Sequence, residues 1–177
     1  MLKLLHRFTK ACDGLAAVEF AFIAPILILV FFATIELSEA LDCRARVAAA
    51  TSTGADLVAQ ETKVSTSDMN NIFSALNAII YPYASGSARI VISSIVDNGS
   101  GVDKVVWSAS QNATARTVGT TVSLPTGLIT SGSGNGVILA EITYAYTSPI
   151  MVFLTGTLSM TNSFYAKPRL SATVTHT

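Results

Sequence analysis

Glu19 is the side chain whose position most needs a chemical explanation. It stands in "GLAAVEFAFIAPILILVFFATIEL", Gly14 to Leu37, where Glu19 and Glu36 are the only charged residues. A carboxylate inside a membrane helix costs a few kcal/mol even on lenient insertion scales, so a partner is expected for it. No Lys or Arg lies between Gly14 and Arg44. The chain could supply the missing cation itself. Hydrolysis of the peptide bond after Gly14 would give Leu15 a free amino group, one helical turn from Glu19 or within reach of Glu19 in an adjacent molecule. Gly14 suits such a cut, because a residue without a side chain offers accessible backbone just before a helix begins.

Other reactive groups are sparse. His6 stands in the N-terminal leader and His176 at a frayed C-terminal end, so neither is placed for general-base work or a ligand cluster. No catalytic, metal-binding or cofactor-binding residue is expected. The glycines of "SGSGNG" lack the following Lys-Ser/Thr of a phosphate loop and read as a flexible loop. Cleavage after Gly14 would remove Cys12 and leave Cys43, which is then either a quiet helix residue or an intermolecular disulfide to another subunit. Glu36 and Glu39 read as solvated carboxylates at the exit from the apolar run, with Arg44 and Arg46 a turn or two later. Glu141 reads as the solvent face of an alternating strand. Eleven basic residues balance eleven acidic ones and no Lys/Arg run occurs, so nucleic acid is set aside as a partner.

These groups must be carried by elements that the hydropathy pattern delimits. Leu15 to Leu37 is long enough to span a bilayer core, which needs roughly 20 helical residues. Pro25 lies inside it, a break that membrane helices tolerate. Lys3, Arg7 and Lys10 precede it, which places the N-terminus in the cytoplasm and the bulk of the chain outside. A cleavable secretory signal would have a shorter apolar stretch and a small-residue cleavage site. Beyond the span, "SEALDCRARVAAATSTGADLVAQ" continues with helix formers, and Leu37, Leu41, Ala48, Ala55 and Val58 recur at helical spacing. One helix from Leu15 to Gln60, about 70 Å long, is the consequence. Its second half would cover a sheet, with Gly54 marking a bend. A short amphipathic helix capped at Ser67 follows and ends before Pro82. From Ala88 the texture turns β-branched: "ARIVISSIV" and "KVVWSAS" flank "DNGSGVD" as a hairpin, Gly119 to Gly136 is a loop, and "VILAEITYAYT" and "GTLSMTNSFYAKPRLSATV" supply two further strands. The fold class is α+β, an N-terminal helical stalk followed by a small antiparallel sheet. The organisation is a leader at 1–14, a transmembrane helix at 15–37, its extracytoplasmic continuation at 38–60 and a small α+β domain at 61–177.

A short basic leader, Gly14, four residues, then Glu19 and Phe20 ahead of an apolar helix resembles the class III signal of type IV pilins. The fuller form "GLAAVEFAFIAPILILVFFATIELSEAL" is similar to the TadE/TadF pseudopilins of tight-adherence (Flp) pilus systems. "VILAEITYAYTSP" (Val137 to Pro149) and "SFYAKPRLSATV" (Ser163 to Val174) resemble strand motifs near the end of TadE-like domains. The resemblance implies a pilin-like fold and a bacterial inner-membrane location. It implies cutting between Gly14 and Leu15 by a prepilin peptidase on the cytoplasmic side, with the apolar segment retained. It implies that Glu19 and Phe20 act in assembly, and that the partners are other pilin or pseudopilin subunits, the inner-membrane Tad assembly platform and the lipid bilayer. Leu15 departs from the Phe that many type IV pilins have there. An unprocessed single-pass envelope protein displaying a β-rich interaction domain is the competing expectation.

Overall fold

Helix formers with few breakers carry the chain through 47 residues of continuous α-helix, α1 (Asp13–Ala59), about 70 Å of rod. The structure is a computed structural model that describes residues 13–83, 86, 88–148 and 156–177; Lys3, His6, Arg7, Lys10, Cys12 and Pro149 lie outside them. Pro25 sits inside α1 without ending it. The helix then gives way to β1 (Lys63–Val64), α2 (Thr66–Ile80), β2 (Ala88–Asp97), β3 (Asp103–Gln111), β4 (Gly136–Thr147), β5 (Thr157–Ala166) and β6 (Thr175–His176). The α+β expectation holds: a long apolar N-terminal helix, a short second helix and a small antiparallel sheet.

β2 to β5 form a sheet of order β3-β2-β4-β5 in which every neighbour is antiparallel. The β2–β3 hairpin is the one the turn residues predict. Its turn is closed by Asp97, whose Oδ1 accepts from the Gly101 amide at 2.9 Å, and by Asn98, whose Oδ1 accepts from Ser100 and Val102. Asp97 also binds the Gly134 amide at 3.4 Å and donates its own N–H to Asn135 O, so "SGSGNG" is tied to the hairpin rather than free. The sheet's two faces differ because β4 alternates. Ile138, Ala140, Ile142, Tyr144 and Tyr146 point into the main core under the helices, while Val137 and Leu139 join Ile95 and Val105 in a smaller one beneath the 122–129 loop.

Both helices lie on the main-core face. α1 contributes Cys43, Val47, Ala50, Ala55 and Val58, and α2 contributes Met69, Phe73, Leu76 and Ile80. The buried stripe of α1 therefore runs 36, 43, 47, 50, 54 and 58, with 40 partly buried on the same line. Leu37 and Leu41, expected to pack, are 61% and 56% exposed. They sit one step around the helix from that stripe, which small residues and valines rather than leucines define. Gly54 does not end or interrupt α1. A Cβ there would stand 2.8 Å from Leu76 Cδ1, so the glycine lets α1 and α2 approach closely.

The cap of α2 is Ser65, not Ser67. Ser65 Oγ accepts from the Asp68 amide at 3.2 Å and Asp68 Oδ2 accepts from the Ser65 amide at 2.8 Å, a reciprocal capping box. The C-terminal motif supplies one long strand, β5, and then a clamp. Arg169 donates its N–H to Ala59 O at the end of α1 and pairs with Asp56, β6 runs parallel to β1, and Trp107 Nε1 donates to Val174 O at 2.7 Å. His176 is thus held in a strand, its ring 5.4 Å from that of Trp107, and the C-terminal end is not frayed.

Candidate processing and assembly site

Gly14, Leu15, Glu19 and Phe20 occupy the first turns of α1. Gly14 lies inside α1, which the structure describes from Asp13 onward, and not ahead of it. Nothing lies within 4 Å of a Cβ built on Gly14, and Leu15 and Phe20 are 64% and 67% exposed. Glu19 is exposed too, and no ion pair involves it among the described residues. Four residues on a helix bring Leu15 about one turn, roughly 6 Å, from Glu19.

The whole apolar stretch shares this openness. From Gly14 to Phe32 no side chain is buried, although Phe22, Ile26 and Phe31 are 75%, 64% and 62% exposed apolar groups. α1 is one helix long and apolar enough to cross a membrane, with a mean hydropathy of 2.6 over its most apolar window. Ala16, Ala17, Ala21 and Ala24 lie along it, small residues of the kind that allow close helix approach in lipid.

Where the span ends, the carboxylates behave otherwise than the sequence suggests. Glu36 is 6% exposed, and its Oε1 accepts a 2.9 Å hydrogen bond from the Tyr146 hydroxyl. Its Oε2 is buried with no hydrogen-bond partner among the described residues. Glu36 turns inward because it heads the buried stripe of α1, and β4 brings Tyr146 beneath it. Burial, then the bond to Glu36, pushes the Tyr146 hydroxyl pKa up. The aromatics of "YAYTSP" therefore pack under the helix: Tyr144 and Tyr146 are 4% and 3% exposed and Tyr83 meets both edge-on.

Glu39 is half-buried and Arg44 exposed, and neither has an ion pair among the described residues. Arg46 pairs instead with Asp42 at 2.7 Å and donates to Tyr81 O. The Arg46 bond lowers the Asp42 pKa, helped by the Tyr83 hydroxyl, which donates toward Asp42 and toward Glu39 O. Cys43 is wholly buried as a free thiol whose pKa burial pushes up to about 11. A disulfide to another subunit would require this sulfur to leave the core, so the placement supports the quiet helix residue. Glu141 is not simply solvated: Arg116, from the loop after β3, grips it through two nitrogens at 2.7–3.0 Å. No spacing rule links Arg116 to Glu141, or Tyr146 to Glu36, because tertiary packing makes both contacts: a loop laid across the sheet in one case and a helix laid on it in the other.

Residues 14–56 match the family model described as TadE-like protein. The match covers the span, Gly14, Glu19 and the stripe of α1 as far as Asp56, about a quarter of the chain. No curated protein and no solved structure matches the chain.

Proposed function

We propose that this chain is a non-enzymatic, minor pseudopilin-like subunit required for assembly of a tight-adherence pilus. In this reading it sits in the bacterial inner membrane with its N-terminus in the cytoplasm and its α+β domain outside. A prepilin peptidase clips it after Gly14, and Glu19 then accepts the Leu15 amine of a neighbour. The observation that carries the reading is the TadE-like match from residue 14 to 56, which begins at Gly14 and contains Glu19. The exposure of Leu15, Glu19 and Phe20 supports it, since a group buried in its own chain could not meet a neighbour. In lipid the low dielectric strengthens an ammonium–carboxylate pair, and pairing offsets the cost of carrying Glu19 there.

The test is intact mass and N-terminal sequencing of the membrane-extracted protein, expressed with and without a cognate prepilin peptidase. A peptidase-dependent start at Leu15 is expected, and Gly14→Val should abolish it. Glu19→Val should still be clipped yet fail in assembly. A start at Met1 in both samples would return the chain to an unprocessed single-pass anchor.

A further inference from the structure

The two edges of the main sheet are treated differently. β3 is covered by the 117–122 segment, through Val105 N to Thr120 O at 3.0 Å, Gly119 N to Val105 O at 2.8 Å and a bridge from Lys104 to Thr121. β5 has no strand on its outer side among the described residues. Sheets normally blunt a free edge with charge, proline or a bulge. β5, "TLSMTNSFYA", has no charge and no proline, and it pairs with β4 without a register shift from Thr157 to Ala166. Between this strand and α1 lies an open groove lined by Ala40, Leu41, Arg44, Leu158 and Met160. Leu41 and Leu158 are 56% and 43% exposed there.

Membrane anchoring limits what can fill the groove. Exposed Leu158 and Phe164 would face each other if two β5 strands paired antiparallel about Thr161, a tempting two-fold. α1 lies along β5 and in the same direction, with Leu41 and Arg44 beside Leu158–Asn162 and Ser52–Leu57 beside Phe164. A two-fold normal to the sheet would reverse α1 and its span. Copies inserted the same way into one bilayer cannot adopt that arrangement. They can pack only with their α1 helices running the same way.

We propose that the groove receives the α1 helix of a second copy of this chain, parallel and head to tail, with Arg44 of one copy facing Glu39 of the next. The proposal rests on the reading of this chain as a membrane-inserted subunit. Residues 39 and 44 lie about 140° apart around the helix, so one flank of α1 presents Arg44 and the other Glu39. Neither has an ion pair within its own chain among the described residues. A self-complementary contact through the groove would set Arg44 against Arg44, whereas a head-to-tail contact joins opposite charges. The five-residue offset staggers the copies by about 7–8 Å. Helix continuity leads there as well: a neighbour packed on the uncovered stretch from Gly14 to Phe32 continues as a rod into the groove. Such a contact uses different surfaces on each copy and so repeats, as a ring or an open helix.

The experiment uses the full chain in a Cys12→Ser, Cys43→Ala background, in membranes that contain no other pilus component. Leu41→Cys is placed in the groove and Ser38→Cys on the outer helix surface. Oxidation of the doubly substituted chain should give a disulfide ladder extending beyond dimer. Arg44→Glu should reduce the ladder about fivefold, the ratio a single ion pair of about 1 kcal/mol supports. Adding Glu39→Arg should restore it. Absence of the ladder, dimers from Leu41→Cys alone, indifference to Arg44→Glu, or dimers trapped only through Leu158→Cys and Phe164→Cys would each overturn the proposal. Because the ladder is read without peptidase or platform, its loss leaves the peptidase-dependent Leu15 start of the preceding test standing. A Met1 start in that test even with peptidase, together with an intact ladder, would remove the pseudopilin reading and keep the interface.

Discussion

Tyr146 and Glu36 meet 110 residues apart in sequence, at the point where the apolar stretch of α1 becomes the cover of a sheet. The contact commits a carboxylate to the interior with one oxygen satisfied and the other without a partner among the described residues. Tyr146→Phe should therefore cost more than an average hydrogen bond, because it removes the remaining donor and leaves a buried group unsatisfied, about 1–3 kcal/mol. The lone Trp107 gives a fluorescence signal for denaturant unfolding in detergent. A drop in midpoint is expected for Tyr146→Phe, partly recovered by a further Glu36→Gln. An unchanged midpoint would mean that the bond contributes nothing. Glu36 was legible as the end of the span but not as buried. A carboxylate between apolar and polar runs looks solvated unless its partner strand is known. Glu19 and Gly14 draw notice in the sequence because their oddity is local: a charge inside a greasy run and a glycine five residues ahead of it.

At the scale of elements, α1 and the four long strands follow from the sequence because each has a sustained period. The β1–β6 pair does not, since two residues show no period and its partner lies across the whole domain. That short pair nevertheless closes the domain. Val174 is 1% exposed and its carbonyl accepts from Trp107, while Thr175 and Thr177 bond back to Thr62 and Val64. Deleting residues 173–177 removes a fully buried valine, about 1.5–3 kcal/mol by burial alone, and strands the indole N–H. The expected outcome is a red-shifted Trp107 emission and a fall in stability of at least about 2 kcal/mol. Retention of the native spectrum and midpoint would show the clamp to be dispensable. The cap of α2 teaches the complementary lesson. Ser65 and Asp68 carry the capping-box spacing in plain view, while the nearer Ser67 is only another polar residue before the apolar run.

Taken whole, the molecule divides by what its side chains touch rather than by where its longest helix ends. α1 is one element, but no residue from Gly14 to Phe32 is buried in the chain, while Glu36 and the stripe from Cys43 to Ala59 belong to the core. The first stretch makes no buried contact within the described chain; the second is held by α2, β4 and β5. A chain beginning at Glu36 should therefore keep every buried contact. It should be recovered from the soluble fraction, with native Trp107 emission and a Tm within about 5 °C of the full chain in detergent, since a shift of that size corresponds to only about 1–2 kcal/mol for a domain of this length. Starting instead at Gln60 removes Cys43, Val47, Ala50 and Val58 together and uncovers Tyr144 and Tyr146, so that fragment should not fold. If the chain beginning at Glu36 fails as well, the membrane stretch must be part of the folding unit. The rod would then not be a separable anchor, and the boundary read from burial would be wrong.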